Sequence, residues 1–217
     1  MPQFGSQLVQ YFQQFGITGI FDSNAVVYTS PTLYGFTGAV EYAVGGVPGS
    51  TKNGRRLSVS LTYGNGGFSA NGAYYSASDP VTGKADAIGK TLGVGYGFGP
   101  VSVKADWVNY LNSSLGPDLS DVNVFGFGGQ YNITPAVVVN TAVYYSRDQK
   151  ASENQSTMFA IGGNYLLSKR TMLYAQVGVA HNRGAFQTNL AVLAPTSFSV
   201  PTGATTTAVN IGIRHQF

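Results

Sequence analysis

The chain contains no cysteine, which excludes a disulfide framework, a thiol nucleophile and any cysteine-based zinc site. Charge is scarce as well, at 10% of the residues. The net charge of +3 comes from scattered Lys and Arg, with Arg55-Arg56 and Lys169-Arg170 as the only doublets. A nucleic-acid surface needs clustered cations, so that class of partner is excluded. There is no run of about 18 apolar residues, which removes a transmembrane helix but leaves a membrane barrel open. The first residues, MPQFGSQLVQ, have no basic stretch followed by an apolar one, so no secretory signal peptide is expected within the chain. His181 and His215 are the only histidines and form no His-pair motif, so no metal site and no cofactor are expected. No G-x-S-x-G elbow or clustered carboxylate pair accompanies them, so enzymatic chemistry is not expected either.

What the chain has in abundance is glycine, at 29 residues, and aromatics, at 13%. Low charge with many Gly and Tyr fits a β-rich protein. From Asn24 onward eleven candidate strands of about eight to twelve residues alternate with turn-forming clusters. They read 24–30, 34–44, 55–64, 67–77, 86–98, 101–111, 121–132, 136–147, 156–167, 171–182 and 203–217. No helix-length segment separates them, so the sheet should be an antiparallel meander. Residues 1–23 differ: Leu8, Phe12 and Phe15 in QLVQYFQQFG sit near helical spacing before Gly16, which predicts a short helix inside a loop.

The connections alternate in length. TSPTL, GNGGF, FGPV, NITPA and LSKRT are short, whereas the intervening connections are long, up to the stretch from Asn182 to Thr202. Tight turns at one end and loops at the other are the register of an outer-membrane barrel. The faces agree. Leu57, Val59, Leu61 and Tyr63 oppose Arg56, Ser58, Ser60 and Thr62; Phe125, Phe127 and Tyr131 oppose Gly126, Gly128 and Gln130. A soluble barrel would turn the bulky face inward, whereas a pore turns it to lipid and keeps a wet lumen. Alternation of strand direction then puts Tyr63, Phe68, Phe98, Tyr131 and Tyr165 near one rim. Tyr42, Tyr74, Trp107, Phe125, Tyr145 and Phe159 fall toward the other, as two interfacial belts. The run GVGYGFG at 93–99 has no following helix and no Lys-Ser/Thr step, so it reads as a strand face thinned by glycine rather than a phosphate loop.

Three blocks resemble a known family. NIGIRHQF at the C-terminus resembles the closing strand of Gram-negative general porins, particularly the beta-proteobacterial type. NAVVYTSPTLYGFTGAVEY resembles that family's sixth and seventh strands with their Ser-Pro turn, and NYLLSKRTMLYAQVGVAHN its fourteenth and fifteenth. The resemblance implies an all-β, antiparallel transmembrane barrel of sixteen strands with a third loop folded into the lumen. The eleven strands would then be six to sixteen, the first five being absent, and residues 1–23 would fall where the constriction loop belongs, ahead of barrel strands in 24–217. It further implies an outer-membrane porin for passive diffusion of small hydrophilic solutes and ions, surrounded by outer-membrane lipid and homotrimeric when full length. Glu41, Arg56, Lys104, Asp106 and Arg214 are the expected channel-lining charges. The sixth strand of the family often carries an inward basic residue, and the aligned position here is Val27. Phe217, with Ile213, Ile211 and Val209 continuing its apolar stripe, would be the signal read by the barrel-assembly machinery. The competing readings are an outer-membrane β-barrel enzyme or adhesin, and a soluble β-sandwich binding module.

Overall fold

The computed structural model describes residues 22–113, 121–190 and 200–217. The helical turn expected in QLVQYFQQFG lies outside the described residues. Eleven strands follow: β1 (Ala25–Thr29), β2 (Phe36–Ala43), β3 (Arg56–Asn65), β4 (Phe68–Ser78), β5 (Ala85–Phe98), β6 (Val101–Asn112), β7 (Asp121–Thr134), β8 (Val137–Asp148), β9 (Gln155–Leu166), β10 (Thr171–Arg183) and β11 (Thr205–His215). Every end lies within two residues of the sequence expectation. They form one sheet in chain order, each strand antiparallel to the next. Among the described residues β1 and β11 are edges, with no ladder joining them.

The short turns are set by residues that tolerate a left-handed backbone. Between β1 and β2, Leu33 and Phe36 exchange two backbone hydrogen bonds of 2.8 Å, with Tyr34 at φ 52 and Gly35 at φ 87. Positive φ at both central positions is the turn whose twist matches a hairpin. The reversal therefore falls at Tyr34-Gly35, three residues beyond Pro31 of the Ser-Pro pair in the sequence reading. Pro31 has no N–H to donate, and the Ser30 hydroxyl extends the ladder past β1 by accepting from the Gly38 N–H at 2.9 Å.

Side chains alternate across the sheet with a period of two. The outer face carries Leu57, Val59, Leu61, Phe125, Phe127, Ile211 and Ile213. Most of them are well exposed, Phe127 at 57% and Ile211 at 76%. Both sets of aromatics assigned to belts lie on this face, and the ladders place them at two levels. Tyr63 pairs with Phe36 and Phe68 with Tyr96 at the short-turn end, while Trp107, Phe125 and Tyr145 run in register nearer the loops. The inner face is small or polar along β3–β5. From mid-strand to the loop end of β7–β10 it is buried: Val122, Val124, Ala142, Tyr144, Met158, Ala160 and Ala180 are all nearly inaccessible, and most of them join one apolar cluster that also takes in Ala77, Ala87, Val108 and Tyr110.

Candidate functional site

Toward the short turns, the inner face of β3–β6 is built from polar side chains over glycine. Thr62, Ser69, Asn71, Thr91, Lys104 and Asp106 line a hollow of about 530 Å³ that Tyr144 closes on one side. Gly93 and Gly95 of the GVGYGFG run make this geometry. A Cβ on Gly95 would come within 2.8 Å of the Ser69 Oγ and 3.3 Å of the Lys104 Cγ, and one on Gly93 within 2.6 Å of the Asn71 Oδ1. Glycine at these inward positions therefore lets the polar neighbours lie against the wall. Gly126 does the same across the ladder, where a Cβ would overlap the Asp106 carboxylate and the Tyr144 ring.

The five predicted lining charges all face inward, but the fold does not gather them in one place. Arg56, at the loop end of β3, makes an ion pair with Asp22. Glu41, on β2 opposite Ser58, has Asp22 as its neighbour, so two carboxyls and one guanidinium meet there. Lys104 and Asp106 sit together on β6, each opposite a glycine of β5 and one of β7. Arg214 is remote from both groups, on β11 opposite Met172, where it lines a separate hollow of about 550 Å³ with Asn164, Tyr174 and Gln176. Val27 faces inward opposite Glu41, leaving an apolar side chain where the family resemblance would place a base.

The stripe Val209, Ile211 and Ile213 lies on the outer face, and Phe217 is fully exposed beyond it. Phe217 meets the His215 ring edge-on at 4.9 Å. The imidazole of His215 in turn hydrogen-bonds the Thr171 hydroxyl at 2.9 Å. His181 pairs likewise with the Thr205 hydroxyl at 2.7 Å. Among the described residues no three His, Asp or Glu side chains gather to hold a metal.

Three features of the inner face are not visible in strand periodicity. Asp22 precedes the first strand and finds Arg56 across 34 residues. Tyr144 reaches across Gly126 toward Asp106, which only the ladder register reveals. The third is the start of the last long connection, where Phe186 and Leu190 are 2% exposed. Its signal in the sequence is two large apolar residues four apart in a segment that should be solvated.

A family model described as Gram-negative porin matches residues 2–185. Outer membrane porin protein 32 of Delftia acidovorans is 27% identical over 205 residues, covering 92% of this chain and 58% of that protein. Among solved structures, the anion-selective porin from Comamonas acidovorans superposes with a TM-score of 0.78 at 23% identity, over 95% of this chain and 65% of its own. The outer membrane protein OmpT of Vibrio cholerae superposes with a TM-score of 0.68 at 13% identity, over 99% and 69%. The chain thus spans less than two thirds of the first two relatives.

Proposed function

Because the chain belongs to the Gram-negative porin family, we propose that it forms wall of a water-filled outer-membrane channel through which small hydrophilic solutes and ions diffuse passively. The observation that carries this reading is the division of the sheet into two faces. Bulky apolar side chains and two aromatic levels point outward, most of them exposed, while the inward face of β3–β6 toward the short turns is polar and hollow. A soluble sandwich would bury the bulky face, so the outward exposure supports lipid as its solvent. The reading invokes no covalent step and no cofactor.

Within this proposal Glu41, Arg56, Lys104, Asp106 and Arg214 bias which ions pass. Their weights differ. Arg56 is neutralised in part by Asp22, whereas Lys104 is exposed on the hollow itself. The ion pair of Asp22 with Arg56 also supports assigning residues 1–23 to an inward segment ahead of the barrel strands in 24–217. Homotrimer formation and recognition of Phe217, with the Ile213, Ile211 and Val209 stripe, by the barrel-assembly machinery belong to the same proposal. An extended apolar terminus suits capture by strand addition.

Planar-bilayer recordings test the channel. Embedded in a complete sixteen-stranded barrel this wall should conduct, and Lys104→Glu should shift the reversal potential in a salt gradient toward cations; no conductance, or no shift, counts against the reading. Removal of Phe217 should lower outer-membrane assembly in cells while leaving refolding of purified chain in detergent nearly unchanged. Equal losses in both assays would assign Phe217 to stability instead.

A further inference from the structure

The loop-side half of the inner face on β4–β6 holds a hollow of a different kind. The inward positions Tyr75, Gly89 and Tyr110 stand side by side in one line of register. Gly89 carries no side chain, so two tyrosines flank a bare floor. Toward the loops the next inward line sets Ala77 opposite Ala87, both nearly inaccessible, which closes that end. Toward the short turns the line of Ser60, Ala73, Thr91 and Val108 follows. Together these residues border a hollow of about 420 Å³, which is within the size range of small-molecule sites. Its inward polar groups are few, the hydroxyls of Ser58, Ser60 and Thr91 beside those of the tyrosines.

The dimensions suit one aromatic ring. Tyr75 and Tyr110 lie two strands apart, about 10 Å between backbones, which equals two successive stacking contacts of about 5 Å. Tyr110 is 6% exposed and belongs to the apolar cluster, and Tyr75 packs against that cluster, so both walls are held by packing. The open end leads into the hollow of Lys104 and Asp106, because Thr91 borders both. Asp106 and Lys104 face inward from β6 two and four residues from Val108, about 7 and 14 Å along an extended strand. A ring in the slot therefore points its substituent at an acid first and a base second.

We propose that this slot binds a small solute made of one aromatic ring and a dipolar tail that carries an ammonium and a carboxylate. The ring lies between Tyr75 and Tyr110 over Gly89, and the tail runs toward Asp106 and Lys104. The inference rests on the channel reading and deepens it by naming a solute class that the wall retains in passage. Two opposite charges on one inward face complement such a tail better than they complement a simple anion or cation.

Saturation-transfer NMR in detergent, with this wall in a complete barrel, reads binding without requiring conduction. Phenylalanine is the probe, alanine supplies the tail without the ring, and benzyl alcohol supplies the ring without the tail. Phenylalanine should bind the parent at least roughly fivefold more tightly than either. Gly89→Ala sets a methyl group on the floor at 3.6 Å from the Tyr75 Cβ, an ordinary contact that the fold accepts. It should weaken phenylalanine binding roughly fivefold. Should that variant fail to fold, judged by heat-modifiable gel mobility, Tyr75→Leu makes the same test by removing one wall. Alanine binding as tightly as phenylalanine, or a folded slot variant with the parent's affinity, would overturn the slot. Benzyl alcohol binding as tightly as phenylalanine would overturn the role of the tail. A barrel that binds phenylalanine as expected but does not conduct would sink the channel reading and leave the slot standing, whereas one that conducts without preferring phenylalanine would sink the slot alone.

Discussion

The inner wall has two halves that share a fold and differ in how they meet solvent. Along one line of register across the sheet, Thr62 of β3 and Asn71 of β4 stay open, whereas Gly126, Tyr144 and Met158 of β7–β9 are buried. The outer face shows no such division, since its bulky apolar side chains are largely exposed along both halves. Alternation alone therefore decides which residues face inward, but not whether that inward side is wet. That second property depends on what packs against it from distant parts of the chain.

The largest effect should come from placing a charge on each half. Val124→Asp puts an unpaired carboxylate among side chains that are fully buried and should cost about 3–5 kcal/mol. Asn71→Asp, on the open half, should change stability by no more than about 0.5 kcal/mol. Urea unfolding in detergent or lipid vesicles compares them, and similar losses at both sites would erase the distinction between the halves. A methyl group sharpens it further. Gly126→Ala must displace the Asp106 carboxylate and the Tyr144 ring and should cost about 1–3 kcal/mol. Gly97→Ala meets only the Gly67 carbonyl at 3.9 Å, and the same titration should find it within about 0.5 kcal/mol of the parent.

The smallest effect lies in the loop above the open half. The Asp79 carboxylate is held below the ordinary carboxylate range by hydrogen bonds from Thr82, chiefly its backbone N–H, and from the Val81 N–H. A depressed folded value means that the contribution is complete above the unfolded pKa of about 3.9. It is then lost as the pH falls through the lower folded value. Asp79→Asn should therefore flatten the acid limb of the unfolding midpoint below about pH 4 and leave neutral pH untouched. A variant whose acid limb matches the parent would show that the turn contributes no linkage.

Most of the sheet was legible because its information is local. Period-two alternation in segments such as 55–64 and 121–132, bounded by GNGG or NITP, specifies a strand, its partner and its faces without reference to anything far away. The five charges proposed to line the channel share the inner face, as their parity alone implies. Their separation into three groups was not legible, because distance across a sheet depends on how many strands intervene. Nor was the Asp22–Arg56 pair, which joins residues 34 apart. The inward packing of the last long connection escaped for a related reason: length and position marked it as a loop, and only Phe186 and Leu190 argued otherwise. The TSPTL connection shows a finer limit, since Ser-Pro marked the turn but the positive φ belongs to Tyr34-Gly35.

The sheet's strict neighbour-to-neighbour order has a kinetic consequence. Every pairing joins strands adjacent in the chain, so each step of assembly closes only the loop between two hairpin arms, and the entropic cost grows slowly with that loop's length. Such a chain can zip up one hairpin at a time, its nucleus being any short-turned pair, such as β5 with β6 across Gly99-Pro100. The step that stands apart is the addition of β11, which must wait for the stretch 184–204 to be drawn back to β10. Asn182, by holding Thr188 and Ala204 together, shortens the effective length of that closure. Its replacement should slow the final step of folding more than it speeds unfolding.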